Sequence, residues 1–152
     1  MDAFEWKKAL HEHLRLLQQE KLANIKAEIA EVRAGQADNG KSAMGDKYET
    51  SGEMARQELD KLRAQEALLQ QHLVFLSKIA PKKKSSAIVP GALIQAGEYR
   101  FYLSIPLGKI SLSGKEVYCI SLASPIGQAL QKAGRSGVFV FNEVELKVEE
   151  VW

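Results

Sequence analysis

Glycine and proline are absent from residues 1–34 and again from residues 53–80, and that gap pattern constrains the fold more than any other feature of the chain. The four glycines of the first half, Gly35, Gly40, Gly45 and Gly52, all lie between the two gaps. The four prolines, Pro81, Pro90, Pro106 and Pro125, all fall in the second half with the other seven glycines. Because Gly and Pro are the residues least compatible with a helix interior, this predicts two long helices joined by a glycine-bearing tip. A turn-rich domain follows. Charge divides at the same point: residues 1–80 hold 12 basic and 13 acidic side chains, and residues 81–152 hold 9 and 6.

Bulk properties bound the rest. At 152 residues the chain suffices for one medium domain or two small ones. Its 45% hydrophobic and 26% charged content is that of a folded protein, not a disordered one. A formal net charge of +2 excludes a globally basic nucleic-acid coat. The single cysteine, Cys119, excludes an internal disulfide, fits a reducing compartment and lacks zinc-ligand spacing. There is no apolar run of about 18 residues, and residues 1–6 carry no basic-then-apolar signal pattern, so a cytoplasmic protein without membrane contact is expected.

Within residues 53–80 the positions Ala55, Leu59, Leu62, Glu66, Leu69, Leu73, Leu76 and Ala80 alternate steps of four and three, the heptad spacing that keeps one seam against a partner helix. The first helix offers Leu10, Leu14 and Leu17, then Leu22, Ile25, Ile29 and Val32, with a slip after Leu17 that reads as a stutter. Two such helices, each on the order of 45 Å long, form an antiparallel coiled-coil hairpin. Its length has two explanations: dimerisation through the helices, or reach, which carries the tip where a globule cannot enter.

The tip, residues 35–53, is longer than helix–helix connections usually are. Asp46-Lys47-Tyr48-Glu49 reads as a capping box, and Thr50-Ser51-Gly52-Glu53 reads as another. If Thr50 is the cap, Asp46 and Glu49 are exposed at the end of the finger and free for chemistry.

At these residues the chain resembles the bacterial Gre transcript-cleavage factors. Their tip reads approximately Gly-Asp-Leu-Lys/Arg-Glu-Asn-Ala-Glu-Tyr, against Gly45-Asp46-Lys47-Tyr48-Glu49-Thr50-Ser51-Gly52-Glu53 in this chain. The Gly, the Asp and the Glu three residues later match; Thr50 to Glu53 depart from the pattern. A second segment, Ile120-Ser121-Leu122-Ala123-Ser124-Pro125-Ile126-Gly127-Gln128-Ala129-Leu130, is similar to the family's Ile-Ser-x-x-Ser-Pro stretch and its continuation. The resemblance implies an α+β protein: an N-terminal antiparallel two-helix coiled-coil hairpin over 1–80, a linker over 81–86, and a small FKBP-like antiparallel sheet domain with one short helix over 87–152. It implies a transcription elongation factor, not itself an enzyme, that inserts its tip into the secondary channel of RNA polymerase and stimulates cleavage of a backtracked RNA 3′ end. Asp46 and Glu49 would then help hold a second Mg²⁺ shared with the polymerase and orient the attacking water, the protein having no cofactor of its own. Lys47, Tyr48, Ser124 and Pro125 would touch the partner, nucleic acid would be met only indirectly, and the factor would act as a monomer. A channel binder that modulates polymerase without stimulating cleavage, and a coiled-coil adaptor, are the alternatives.

Pro81-Lys82-Lys83-Lys84-Ser85-Ser86 reads as a solvated polar joint, with contact to nucleic acid or a targeting role as other uses of its lysines. Beyond it, strands are expected at 93–94, 99–103, 117–120, 138–141 and 144–148, with a tight turn at Phe141-Asn142-Glu143-Val144 and a short helix opened by Ser124-Pro125. No aromatic pocket stands out there, which argues against prolyl isomerisation. His11 and His13 are expected on the surface, and Cys119 in the core.

Overall fold

In the computed structural model all residues are described except 1, 43–45 and 82, and residues 38–42 and 46–49 are described by their backbone alone. Helix α1 spans Ala3–Ser42 and α2 spans Asp46–Lys78, and together they form a hairpin. The Asp2 carboxylate accepts the Glu5 backbone N–H at 2.8 Å, which satisfies one of the orphan donors at the start of α1. Both helices run past the glycines that were expected to end them. Gly35 and Gly40 lie in α1 and Gly52 lies in α2, so only residues 43–45 remain between the helices in place of the expected tip over 35–53. A glycine inside a helix costs only about 1 kcal/mol relative to alanine, which the helix-forming tracts on either side offset.

The strands are β1 (Leu93–Ala96), β2 (Tyr99–Leu103), β3 (Gly108–Leu112), β4 (Lys115–Ile120), β5 (Val138–Phe141) and β6 (Val144–Val151), and they form one sheet in the order β3-β4-β2-β1-β6-β5. Helix α3 (Pro125–Ala133) and a single 3-10 turn lie between β4 and β5. β3 was not among the expected strands, and with it the sheet becomes mixed: β2 pairs with β4 in parallel while every other pair is antiparallel. The chain leaves β2, runs out to the edge as β3, and turns back through Ser113 and Gly114, both in the left-handed region, to insert β4 beside β2. At the expected tight turn, Phe141 does pair with Val144, and Asn142 and Glu143 have φ of 51° and 64°.

The chain divides into two compact units: Met1–Leu14 together with Phe75–Trp152, and Arg15–Val74. In the sheet unit, alternate residues feed two cores, as a two-residue period requires. Ile94, Phe101, Leu103 and Ile120 face a core that includes Leu130 of α3. Leu93, Tyr102, Val117 and Cys119 face the opposite core, which Trp6, Leu10 and Leu14 of α1 and Leu76 of α2 complete. Each such fully buried apolar side chain contributes roughly 1.5–3 kcal/mol. In the helical unit, Ile29, Leu59 and Leu62 form a small core with Ile25 and Val32 packed on it.

Candidate functional site

Helix α2 begins at Asp46, so Thr50, Ser51 and Gly52 are helical residues and the alternative start at Thr50 is corrected. Glu53 does not close a capping box; it pairs with Arg56 one turn on and accepts a bond from Gln57 Nε2 at 3.4 Å. A negative charge is favoured in the first turn of a helix, where unsatisfied N–H groups and the backbone dipole meet, so Asp46 and Glu49 sit where helix energetics tolerate them. They are three residues apart in one turn, at the end where the hairpin closes. The side chains of Asp46, Lys47, Tyr48 and Glu49 lie outside the described residues.

Ser124 and Pro125 belong to the sheet unit and open α3 as expected. The Ser124 hydroxyl accepts the Gly127 N–H at 3.0 Å and donates to the Ser121 carbonyl at 2.6 Å, while Pro125 takes a position whose N–H needs no partner. Gly127 completes the arrangement, because a Cβ there would stand 2.1 Å from the Ser121 carbonyl oxygen. The residues of the Ile120–Leu130 segment that resemble a family motif thus have a local structural task. Pro125 is exposed and Ser124 half-buried.

The sheet unit also holds a buried polar cluster. His11, expected on the surface, is 7% exposed, and its Nδ1 shares a 2.8 Å hydrogen bond with the Tyr102 hydroxyl. Burial, reinforced by the neighbouring Cys119, holds the Tyr102 phenol well above its ordinary pKa, and burial pushes the Cys119 thiol up to about 12. Cys119 is therefore an inert core thiol, as expected. Lys7 is fully buried as well; its ammonium donates to the Trp152 main-chain oxygen at 3.0 Å and the Lys83 carbonyl at 3.1 Å, and burial lowers its pKa to about 8. In the helical unit Gln18 is fully buried and its Oε1 accepts from His72 Nδ1 at 3.2 Å. Lys7, His11, Leu14 and Gln18 follow the same four-three-four steps as the apolar seam, and that spacing was the available sequence signal for these polar positions.

Five aromatic rings, Tyr99, Phe101, Tyr118, Phe139 and Phe141, converge on the α3 side of the sheet with centroids 5.1–6.4 Å apart. The sequence alone had not brought them together; they pack on one another, largely edge to face, and Phe101 is fully buried. Between the helices of the hairpin, Ile25, Leu68 and Leu69 with Lys21, Asn24 and Gln65 line an apolar groove of about 320 Å³. Among the described residues no helix is long and apolar enough to cross a membrane, and no three or more His, Cys, Asp or Glu side chains gather in a metal-binding group. The chain matches no family model, no curated protein and no solved structure.

Proposed function

We propose that this protein is a cytoplasmic, monomeric accessory factor of bacterial RNA polymerase that presents Asp46 and Glu49, at the closed end of its hairpin, to the polymerase active site through the secondary channel. What supports this reading is the Gre-like segment itself, Gly45-Asp46-Lys47-Tyr48-Glu49, whose two carboxylate residues fall three apart in the first turn of α2; with the helix starting at Asp46 they are helix-terminal residues, not the free tip residues that a start at Thr50 would have left. Between the start of the helical unit at Arg15 and its end at Val74, each arm has close to 30 residues, about 42 Å of helix, a length suited to reach.

Mg²⁺ takes oxygen ligands and is commonly held by one or two carboxylates together with phosphate. Two carboxylates leave most of an octahedral site unfilled, so this chain supplies ligands to a metal that the polymerase and the RNA phosphates complete. A second metal in phosphodiester hydrolysis stabilises the attacking and leaving oxygens together. By this logic the isolated protein has no nuclease activity. Lys47 and Tyr48 flank the carboxylates as candidate contacts with the channel, and Ser124 and Pro125 as candidate contacts with its rim.

Stalled, backtracked elongation complexes test the reading. Adding the protein should speed release of short 3′ RNA fragments, and Asp46→Ala or Glu49→Ala should reduce that stimulation on the order of 10- to 100-fold while polymerase binding persists. Binding without any change in cleavage would replace this with a channel-occupying modulator. The apolar groove at Ile25, Leu68 and Leu69 favours a second reading, a coiled-coil adaptor that seats a partner helix. Absence of polymerase binding would select it.

A further inference from the structure

Between Ala67 and Gly97 the chain contains no Asp or Glu, while it carries Lys78, Lys82, Lys83 and Lys84. The asymmetry extends further: residues 67–142 hold nine basic side chains and only two acidic ones, Glu98 and Glu116. A chain of near-neutral net charge therefore concentrates positive charge in one stretch, the electrostatic footprint expected of an anion-binding surface.

Inside this stretch the structure has an open concave feature of about 270 Å³ in the segment joining α2 to β1, lined by Lys83, Lys84, Ser85, Ser86, Val89 and Pro90 among others. Among the described residues no carboxylate pairs with Lys83 or Lys84, and no hydrogen bond engages the Ser85 or Ser86 hydroxyls. The backbone N–H groups of residues 84–88 likewise have no backbone acceptor among the described residues, whereas Lys83 N–H bonds the Ala80 carbonyl at 3.1 Å and Val89 N–H bonds the Ala87 carbonyl at 3.1 Å. Successive N–H groups without an internal acceptor are available to an anion beside the lysines.

A buried lysine bonds the main chain at the start of the loop. The fully buried Lys7 ammonium donates to the Lys83 carbonyl at 3.1 Å and to the Trp152 main-chain oxygen at 3.0 Å, which holds the start of the loop in place. N–H groups without an internal acceptor, two exposed lysines and two hydroxyls favour one ligand chemistry, oxygen-rich and multiply negative. Aliphatic walls at Val89 and Pro90 leave room for an apolar or ring-bearing part of a ligand beside that charge.

We propose that the 83–90 loop is a binding site for a phosphate chain, carried either by a small nucleotide or by a nucleic-acid strand. The site is separate from the closed end of the hairpin and does not depend on the function proposed for Asp46 and Glu49.

Isothermal titration and backbone amide NMR on the full chain test this with tripolyphosphate, ATP and a single-stranded oligothymidylate as probes. The expected result is saturable binding that perturbs amides 83–89 and is weakened at least about tenfold in Lys83→Ala/Lys84→Ala. The charge-matched control Lys132→Ala/Arg135→Ala should bind as the wild type does. Binding of tripolyphosphate and ATP identifies a small nucleotide as the source. Binding of the oligonucleotide alone identifies a strand, and then the two lysines should account for roughly 1.4 of the slope of log K against log salt between about 50 and 200 mM. Equal losses in the two double variants, or no binding of any probe, would overturn the proposal. Because none of these measurements involves polymerase or RNA cleavage, they fail or succeed independently of the transcript-cleavage reading.

Discussion

Gln18 is the residue at which the seam of the hairpin departs from a simple apolar stripe. It is fully buried, its Oε1 accepts from His72, and its Nε2 has no partner among the described residues. An unsatisfied buried donor costs about 1–3 kcal/mol, but a polar pair at a seam position disfavours shifted helix registers, since any slip strands both groups in apolar surroundings. The pairing also carries a pH dependence. Burial first, and the nearby Lys21 charge second, lower the His72 pKa from its ordinary 6.5, so folding favours the neutral ring. A base with a depressed folded pKa contributes stability that is present above its unfolded value and lost as pH falls through the folded one. The urea midpoint should therefore drop between about pH 7.5 and about pH 5, and His72→Gln, which cannot titrate, should remove part of that drop. An identical pH profile in wild type and variant would rule out this role for His72.

Among the secondary-structure elements, two kinds of helical glycine behave oppositely. Gly35 and Gly52 lie inside α1 and α2 with nothing within 4 Å of where a Cβ would be. Gly35→Ala and Gly52→Ala should each raise stability by about 0.5–1 kcal/mol, read as a higher denaturant midpoint. Gly127, in the first turn of α3, is the reverse case, since its Cβ would meet the Ser121 carbonyl oxygen and the Leu122 backbone. Gly127→Ala should destabilise the sheet unit by about 2 kcal/mol or more, with loss of the near-ultraviolet dichroism of its aromatic cluster. These glycines look alike in the sequence. Helix-breaking propensity alone predicts that α1 ends at Gly35, and it fails there because one glycine costs less than the neighbouring residues supply. The expectation at Ser124-Pro125 holds because capping is local: hydroxyl, ring and following N–H all lie within four residues.

Across the entire molecule, the division into compact units does not follow the linker. The first 14 residues and the end of α2 belong with the sheet, because Trp6, Leu10, Leu14 and Leu76 cover the sheet face that carries Leu93, Tyr102, Val117 and Cys119. A fragment beginning at residue 87 leaves that face bare. It should lack dispersed amide NMR signals, whereas the full chain should retain them, and a well-folded monomeric fragment would show that the helical residues are dispensable to the sheet. Features with local causes are legible in the chain without any structure: the long breaker-poor helices, the helix start at Ser124, the turn at Asn142-Glu143, and most strands by alternation. The heptad seam of α2 is legible too, because one residue type recurs at one spacing. Folding in three dimensions was needed to reveal that β3 joins the sheet edge and makes one pair parallel, and that Gln18, not Leu17, lies in the seam of α1. It was needed equally for the burial of Lys7 and His11, with the Lys7 ammonium held by main-chain oxygens of Lys83 and Trp152. Those outcomes depend on which distant groups meet and satisfy one another, and hydrogen bonds between residues 76 to 145 positions apart leave no periodic trace in the chain that makes them.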